Sequence, residues 1–198
     1  RGERFCNEQV YGAKLGYEMV EHQGGKAWLI IDSRLRWQAV RQCLFGKLWA
    51  FQSMPALMLM FKVAIKGRNI DALAQRIGAD AATLRAQVEA ANAAARGEQD
   101  DAFGKSLDMR HEFGGGPFFA IDISIGQKMF PLATLTLGGL RVNEDDGHVL
   151  DAQARNIPGL FAAGRTAIGL ASSRYVSGLS LADCVFSGRR AGRAAAHE

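Results

Sequence analysis

The stretch 157–195 constrains the fold most, because a short apolar run, a loop of small residues and a long helical pattern follow one another there. Pro158-Gly159 is a turn signal, and the apolar run 160–163 predicts a buried strand. Gly164 ends that strand, and a loop rich in Gly, Ser and Ala follows it. We expect a helix from about Ser180 to the end of the stretch, with Ser180 as its N-cap and Asp183 as the acidic partner three residues on.

A strand, a glycine-rich loop and a helix N-terminus can together cradle a polar, electron-rich ligand. The first N–H groups of a helix lack partners within the helix and therefore favour electron-rich groups. The helical pattern is also rich in small residues, which would let a neighbouring group approach the backbone closely: Ala182, Gly188, Ala191, Gly192 and Ala195. The stretch therefore predicts a ligand site.

Composition excludes several classes of function. The net charge is +4, and the Arg and Lys residues are scattered without an interleaved aromatic stripe, so we predict no nucleic-acid partner. The four histidines lack metal-ligand spacing, so we predict no metal site. Three cysteines lie far apart in the sequence, which favours a reducing compartment and hence the cytoplasm.

The rest of the chain alternates between helical and strand patterns, which predicts a mixed fold of the α+β or α/β class. We expect helices at 11–21 and 34–45, a pair of helices within 69–96, strands at 27–31 and 118–125, and a hairpin over 140–150. Trp28 and Trp37 are predicted core residues. Arg4 and Glu8 are predicted either to pair as a buried salt bridge or to contact substrate, and Asp100 and Asp101 to lie in a solvated turn.

The segment 54–65 is the most hydrophobic part of the chain, yet it is too short to span a bilayer, which needs ~20 apolar residues. We expect it to be a buried core or interface segment. The alternative is a methionine-rich lid over an apolar substrate. Peripheral contact with the inner face of a membrane also stays open.

Five segments carry a family resemblance: GERFCNE at 2–8, the helical pair within 69–96, PFFAI at 117–121, TLTLGG at 134–139 and PGLFAAG at 158–164. Together they resemble the FAD-dependent oxidoreductases that include fumarate reductase and succinate dehydrogenase flavoproteins and the 3-oxosteroid dehydrogenases. Within that family, RYVSGLSLAD at 174–183 is most similar to 3-oxosteroid 4-dehydrogenases that act on 5α-steroids.

The resemblance implies a division of the chain. Residues 1–127 would form the cap, or substrate, domain of a fumarate-reductase-like flavoprotein. Residues 128–198 would supply the C-terminal strand, loop and helix of a Rossmann-like FAD domain. The G-x-G-x-x-G fingerprint that binds the ADP half of FAD is absent, so we expect a C-terminal fragment that binds FAD weakly or not at all by itself.

The resemblance also implies which residues contact the flavin. Three belong to the turn after the predicted strand, and two belong to the start of the last helix: Gly164, Arg165, Thr166, Ser180 and Leu181. The N-terminus of that helix would stabilise negative charge on the flavin pyrimidine ring.

The implied reaction removes a hydride and a proton from a saturated ketone, and tyrosine hydroxyls suit both the proton transfer and the binding of the carbonyl. We assign Tyr175 and Ser177 to proton abstraction and Tyr11 to the carbonyl, although the two tyrosines could be exchanged. Tyr17 competes with Tyr11 for the second role. Arg174 and Gly178 are predicted to contact substrate, and the electron acceptor stays open.

Two other functions compete with a steroid dehydrogenase. A fumarate- or succinate-type enzyme would need several cations for a dicarboxylate. Arg174 aligns with one of them, but Thr134 and Tyr11 or Gly12 stand where that branch has a histidine and an acid arginine. The third possibility is a non-catalytic interaction or structural domain.

Overall fold

The computed structural model describes residues 1–46, 49–128, 136–170 and 175–198, without the side chain of Phe51. The chain divides into two compact units, Arg1–Leu132 and Ala133–Glu198. The first unit contains, in chain order, α1 (Gly12–Gln23), β1 (Trp28–Asp32), α2 (Ser33–Phe45), α3 (Ala50–Met58), a π-helix (Leu59–Val63), β2 (Ile65–Gly67), α4 (Ile70–Ile77), α5 (Ala81–Ala95), a 3-10 turn (Leu107–Met109) and β3 (Phe118–Asp122).

Strand β3 is the centre of an antiparallel sheet with the order β1-β3-β2. Its side chains alternate between two cores, as the period of a strand requires. Phe118 and Ala120 pack against α4 and α5 around Leu73. Ile121 packs against Val40 of α2 and the buried start of the π-helix. The sheet is therefore covered by helices on both faces.

Local capping signals fix where three of these helices begin. Asp32, Asn69 and Asp80 each accept a hydrogen bond from the backbone N–H three residues on, at 2.8, 2.9 and 2.7 Å. Such a bond satisfies one of the unpaired donors of a first helical turn. The predicted starts of α2, α4 and α5 are confirmed. Asp32 also accepts a bond from Gly114 N–H at 2.7 Å, which ties α2 to the loop before β3.

The predicted burial of the apolar segment 54–65 is only partly right. Leu59 and Met60 are buried, but Met54, Met58 and Phe61 are exposed. The segment folds into two helical pieces, and a helix buries one side only. Trp37 was expected in the core, but it is 54% exposed because it lies on the outer side of α2.

Arg36 holds the π-helix against the sheet. Its guanidinium lies 4.5 Å from the ring centre of Phe61 and 4.4 Å from that of Phe119, and it donates a hydrogen bond to the Met60 carbonyl at 3.1 Å. A cation between two aromatic rings contributes ~0.5–2 kcal/mol, depending on its desolvation. The exposed Phe61 is thereby connected to the central strand.

The second unit contains β4 (His148–Leu150), β5 (Asn156–Phe161), a 3-10 turn (Gly164–Thr166) and α6 (Leu179–Ala195). The predicted hairpin over 140–150 is present as a Val142–Val149 bridge. Strand β4 also pairs antiparallel with β5. The predicted strand at 160–163 lies earlier, in β5, and Leu160 is exposed rather than buried because β5 has only β4 as a strand partner among the described residues.

Both units contain helices as well as strands, which confirms the predicted mixed class. In the described ranges, no helix is both long and apolar enough to cross a membrane.

Candidate functional site

One serine ties the turn after β5 to helix α6. The buried Ser187 hydroxyl accepts a hydrogen bond from Gly164 N–H at 2.8 Å and donates one to the Asp183 carbonyl at 2.5 Å. A hydroxyl can do both at once. The turn and the helix are therefore held together without a large apolar contact.

Two glycines let the backbone come close to α6. Gly164 has a φ of +57°, and a Cβ there would lie 3.0 Å from the Cys184 sulfur. A Cβ at Gly169 would overlap the carboxylate of Asp183, itself a buried residue. Each position requires glycine for a physical reason, a left-handed backbone at the first and a close approach at the second.

The segment 136–140 closes another side of the same region. Leu140 N–H donates to the Thr166 carbonyl at 2.8 Å, and Ile168 N–H donates to the Leu140 carbonyl at 2.9 Å. A Cβ at Gly139 would lie 2.6 Å from the Thr166 carbonyl oxygen. The Arg165 guanidinium donates to the Thr136 carbonyl. Backbone contacts thus hold this segment against the turn.

These parts surround a small recess that is partly open to solvent. Nine residues line it: Thr136, Leu137, Gly138, Gly164, Arg165, Ala167, Gly169, Ser180 and Asp183. The Ser180 hydroxyl is buried and has no hydrogen-bond partner among the described residues. A buried hydroxyl without a partner costs ~1–3 kcal/mol, which a polar ligand in the recess would recover.

The N-cap of helix α6 lies two residues before the predicted one. Gly178 is the N-cap, with a φ of +85°, and no side chain caps the helix. Ser180 is therefore not the N-cap, and Asp183 is not its capping partner. The N–H groups of Leu181 and Ala182 both bond to the Gly178 carbonyl at 3.2 Å, which leaves the Ser180 side chain available to the recess.

The structure brings three of the predicted cofactor residues to the recess, namely Gly164, Arg165 and Ser180. Thr166 lies in the same turn but is exposed. Leu181 is 75% exposed and does not line the recess.

The predicted catalytic and substrate residues lie in different places. Tyr175, Ser177 and Gly178 are in the short segment before α6, with Tyr175 half-buried and Ser177 exposed. Arg174 lies outside the described residues, as does Thr134. Tyr11 is in the first unit, where it is the N-cap residue of α1 and is half exposed.

Sequence reasoning missed Gly169 and the place of Asp183 in the recess. Asp183 was interpreted as part of a cap because it follows Ser180 by three residues. The sequence held no local signal for this contact, because Gly169 and Asp183 meet only in the folded chain.

A separate ionic cluster orders the start of the first unit. Arg4 bonds to Glu8 at 2.7 Å and to Asp101 at 2.5 Å, and Lys105 approaches Glu8 at 3.4 Å. Asp101 was expected in a solvated turn, but its side chain is 4% exposed, because Arg4 and two backbone N–H groups enclose it.

Burial alone would raise the pKa of Asp101, but the hydrogen bonds from Arg4 and from the backbone of Lys105 and Phe103 outweigh it and lower the pKa to about 2. The Asp101 carboxylate therefore stays ionised and paired with Arg4. The ion pair connects the start of the chain to the loop around residue 101. The described residues contain no group of three or more His, Cys, Asp and Glu side chains that could hold a metal ion.

The recess offers a buried hydroxyl, a helix N-terminus and close-packed glycine backbone, all of which favour a polar, electron-rich group. Residues 1–181 match a family described as an FAD binding domain.

The chain is 70% identical to 3-oxo-5-alpha-steroid 4-dehydrogenase of Comamonas testosteroni over 164 residues, which cover 83% of this chain and 31% of that enzyme. It is 30% identical to a probable fumarate reductase of Shewanella frigidimarina, over 98% of this chain and 30% of the relative. The chain thus spans about a third of the length of these relatives.

Among solved structures, the 3-ketosteroid-Δ4-(5α)-dehydrogenase of Rhodococcus jostii RHA1, in complex with 4-androstene-3,17-dione, matches with a TM-score of 0.76 and 33% identity. The match covers 98% of this chain and 37% of that structure. The resemblance drawn from the sequence motifs is therefore confirmed.

Proposed function

Because this chain belongs to the FAD-binding domain family, we propose that the protein is an FAD-dependent oxidoreductase that introduces a C=C bond beside the ketone of a 3-oxosteroid or a similar apolar cyclic ketone. The observation that carries the proposal is the high identity to the Comamonas enzyme over most of the chain. The chain is a minor part of that enzyme's length, so the activity is proposed for the whole protein.

The recess of the second unit holds part of the cofactor. The turn Gly164–Thr166 presents backbone to it, and the Ser180 hydroxyl supplies a hydrogen bond that no described residue of the chain satisfies. The N-terminal end of α6 favours negative charge by ~0.3–1 kcal/mol if exposed and by up to ~2 kcal/mol if partly buried. When bound, FAD supplies the acceptor for the hydride that leaves the substrate.

The chain's own residues handle the proton. In this proposal Tyr175, in its deprotonated form, takes the proton from the carbon next to the ketone, and Ser177, two residues on, passes that proton towards solvent. Tyr11 donates a hydrogen bond to the ketone oxygen and so stabilises the negative charge that develops there. Arg174 and Gly178 contact the substrate, and the two tyrosines could exchange their roles.

The proposed division of labour follows the predicted domains. Residues 1–127 act as the cap that encloses the substrate, and residues 128–198 complete the FAD domain. We infer a cytoplasmic enzyme that contacts a membrane at most peripherally. All three cysteines are free thiols, which supports a reducing compartment.

The test uses the full-length protein with a saturated 3-oxo-5α-steroid and an artificial electron acceptor, and follows reduction of the dye. We expect turnover, with a loss of 10²–10⁴-fold in Tyr175→Phe, the usual size of a general acid–base contribution. Tyr17→Phe separates the two candidates for the carbonyl, since both tyrosines are exposed: it should keep the activity if Tyr11 binds the ketone and lose it if Tyr17 does. Full activity in Tyr175→Phe together with a loss in Tyr11→Phe would exchange the two roles.

The fumarate-type alternative is weaker, since the similarity to fumarate reductases is much lower than that to the steroid enzyme. The fumarate-type alternative predicts a different result when the same full-length protein is tested. Reoxidation of the reduced protein by fumarate, without turnover of any steroid, would support it and would reject the steroid proposal.

A further inference from the structure

The segment 22–70 is strongly basic. It contains eight Lys and Arg residues and a single acidic residue, Asp32. Asp32 is 2% exposed and is used in capping α2, so it offers no negative charge to the surface. The basic character of the whole chain is therefore concentrated on one part of the first unit.

The cations of this segment differ from the other arginines in their partners. Arg4, Arg85, Arg96 and Arg155 each form an ion pair with a carboxylate. Among the described residues, none of the Lys and Arg side chains of 22–70 lies within 4 Å of a carboxylate oxygen. Arg34 and Arg36 donate hydrogen bonds to backbone carbonyls, and other described cations of the segment, such as Arg41 and Lys62, keep their charge available to an external partner.

Large apolar side chains stand on the same helices. Along α2, a groove is lined by residues spaced three or four apart, so they share one helix face: Arg34, Trp37, Gln38, Arg41, Gln42 and Phe45, with Gly46 at the end. Phe45 is 85% exposed. The ring of Trp37 meets that of Phe61 edge-on at 6.0 Å, which continues the face onto the π-helix beside Lys62.

Helix α3 adds further exposed apolar side chains to this region. Trp49, at its N-cap, is 74% exposed, and Met54 is 71% exposed. Monomeric proteins rarely leave so many large apolar side chains together in water without a use for them.

From this combination we propose that the outer side of α2, α3 and the π-helix is a docking surface for an anionic lipid bilayer. We call it the basic-aromatic face and define it by Trp37, Arg41, Phe45, Trp49, Phe61 and Lys62. Tryptophan and phenylalanine enter the headgroup layer, and Lys and Arg reach the phosphates beside them. Each cation near such a surface contributes about fivefold to binding.

Charge argues against the other occupants of this face. A second copy would bring the same unpaired cations against themselves, and like charges across an interface oppose association. An uncharged ketone forms no ion pair with Lys or Arg. A lid over the substrate would therefore not explain why the cations lie on this face. An anionic bilayer accounts for both the charge and the aromatic rings, and it is also where an apolar ketone dissolves.

The test is co-sedimentation of the full-length protein with vesicles of phosphatidylcholine containing about one third phosphatidylglycerol, at about 0.05 M and about 0.5 M salt. Vesicles of phosphatidylcholine alone are the reference. We expect binding to the anionic vesicles only, and its loss at high salt. Arg41→Gln with Lys62→Gln should weaken binding about 25-fold, whereas Lys14→Gln with Arg189→Gln, which removes two exposed cations elsewhere, should preserve it.

The apolar part is tested separately. Phe45→Ser with Trp49→Ser should weaken binding at least tenfold, since both rings would leave the headgroup layer. Leu107→Ser, at an exposed leucine outside the face, should leave it unchanged. Equal binding to neutral vesicles, or no binding to either kind, would overturn the proposal. A face covered by a second copy or by the protein's own chain would show as a change in mass or in stability of the double serine variant without any vesicle binding, and this result would also overturn it.

Discussion

The two units of this chain differ in the interactions that stabilise each of them internally. In the first unit, Leu73, Ala74 and Ala120 are 0% exposed and belong to a core that helices close from both sides of the sheet. In the second unit, the buried apolar cluster consists of Val149, Ala162 and Ala167, all of them small. There the turn, the segment 136–140 and α6 are joined by hydrogen bonds and by glycine backbone.

The difference indicates what each unit is built for. Large buried side chains give a unit its free energy of unfolding, because apolar area removed from water is the main stabilising contribution. Close backbone packing around a recess contributes little apolar area but fixes polar groups in place for a ligand. The first unit is thus organised around its own core and the second around the site.

The comparison predicts that the largest effect on stability comes from the core of the first unit. Leu73→Ala should lower the free energy of unfolding by about 3 kcal/mol, through lost burial and the cavity left behind. Urea unfolding followed by tryptophan fluorescence measures this, since all three tryptophans of the chain lie in the first unit. Leu107→Ala, at an exposed leucine, should change little. Equal effects of the two variants would contradict the assignment of the core.

The next effect is acid sensitivity in the first unit. The lowered pKa of Asp101 means that its ion pair with Arg4 stabilises the fold above the ordinary aspartate pKa near 3.9 and is lost as the pH falls through about 2. We expect about 2 kcal/mol of stability to disappear in that window. Asp101→Asn should lack this pH dependence, while Asp100→Asn, its exposed neighbour, should retain it. A wild-type profile in Asp101→Asn would exclude this role.

In the second unit, we expect a substitution in the recess to reduce flavin binding before it reduces the stability of the fold. Gly169→Ala places a methyl group on the Asp183 carboxylate, and we expect the flavin content of the purified protein to fall about tenfold, or ~1.4 kcal/mol in binding. Gly188→Ala is the matched control, because a Cβ there meets nothing within 4 Å. Absorbance at the flavin band, relative to protein, measures both. Full flavin content in Gly169→Ala would show that the recess does not bind the cofactor.

The smallest effect concerns His148 in the second unit. Its pKa is raised mainly by the hydrogen bond that the ring donates to the Asp146 carboxylate, with Nδ1 and Oδ2 2.9 Å apart, and Glu198, 3.3 Å from Nε2, adds to the shift. The stabilisation is therefore full below the ordinary histidine pKa near 6.5 and is lost as the pH rises through the raised value. His148→Gln should differ most from wild type in melting temperature at about pH 5.5 and least at about pH 8.5. His111→Gln, at an exposed histidine, should show no such trend, and a trend of the opposite sign in His148→Gln would refute the pairing.

The sequence was sufficient where structure is decided locally. The starts of α2, α4 and α5 follow from a single side chain bonding three residues ahead, so Asp32, Asn69 and Asp80 could be found without any tertiary knowledge. The helical and strand periods likewise located most elements of the first unit.

The sequence failed where a residue's role depends on a distant partner. Asp101 looked solvated because Arg4, which encloses it, lies 97 positions away. Gly169 gave no signal because its neighbour Asp183 meets it only when the loop returns to α6. Trp37 looked like a core residue because the helical pattern alone does not show which side of α2 faces the sheet.

The hydroxyl of Ser187 has a consequence for how this region can change over evolution. It joins Gly164, where the loop begins, to Asp183 in the helix where the loop ends. With both ends anchored to each other, residues can be gained, lost or exchanged between them without altering the distance that the anchor sets. Loop positions that no close contact fixes, unlike Gly169, can therefore vary while the turn stays attached to the helix.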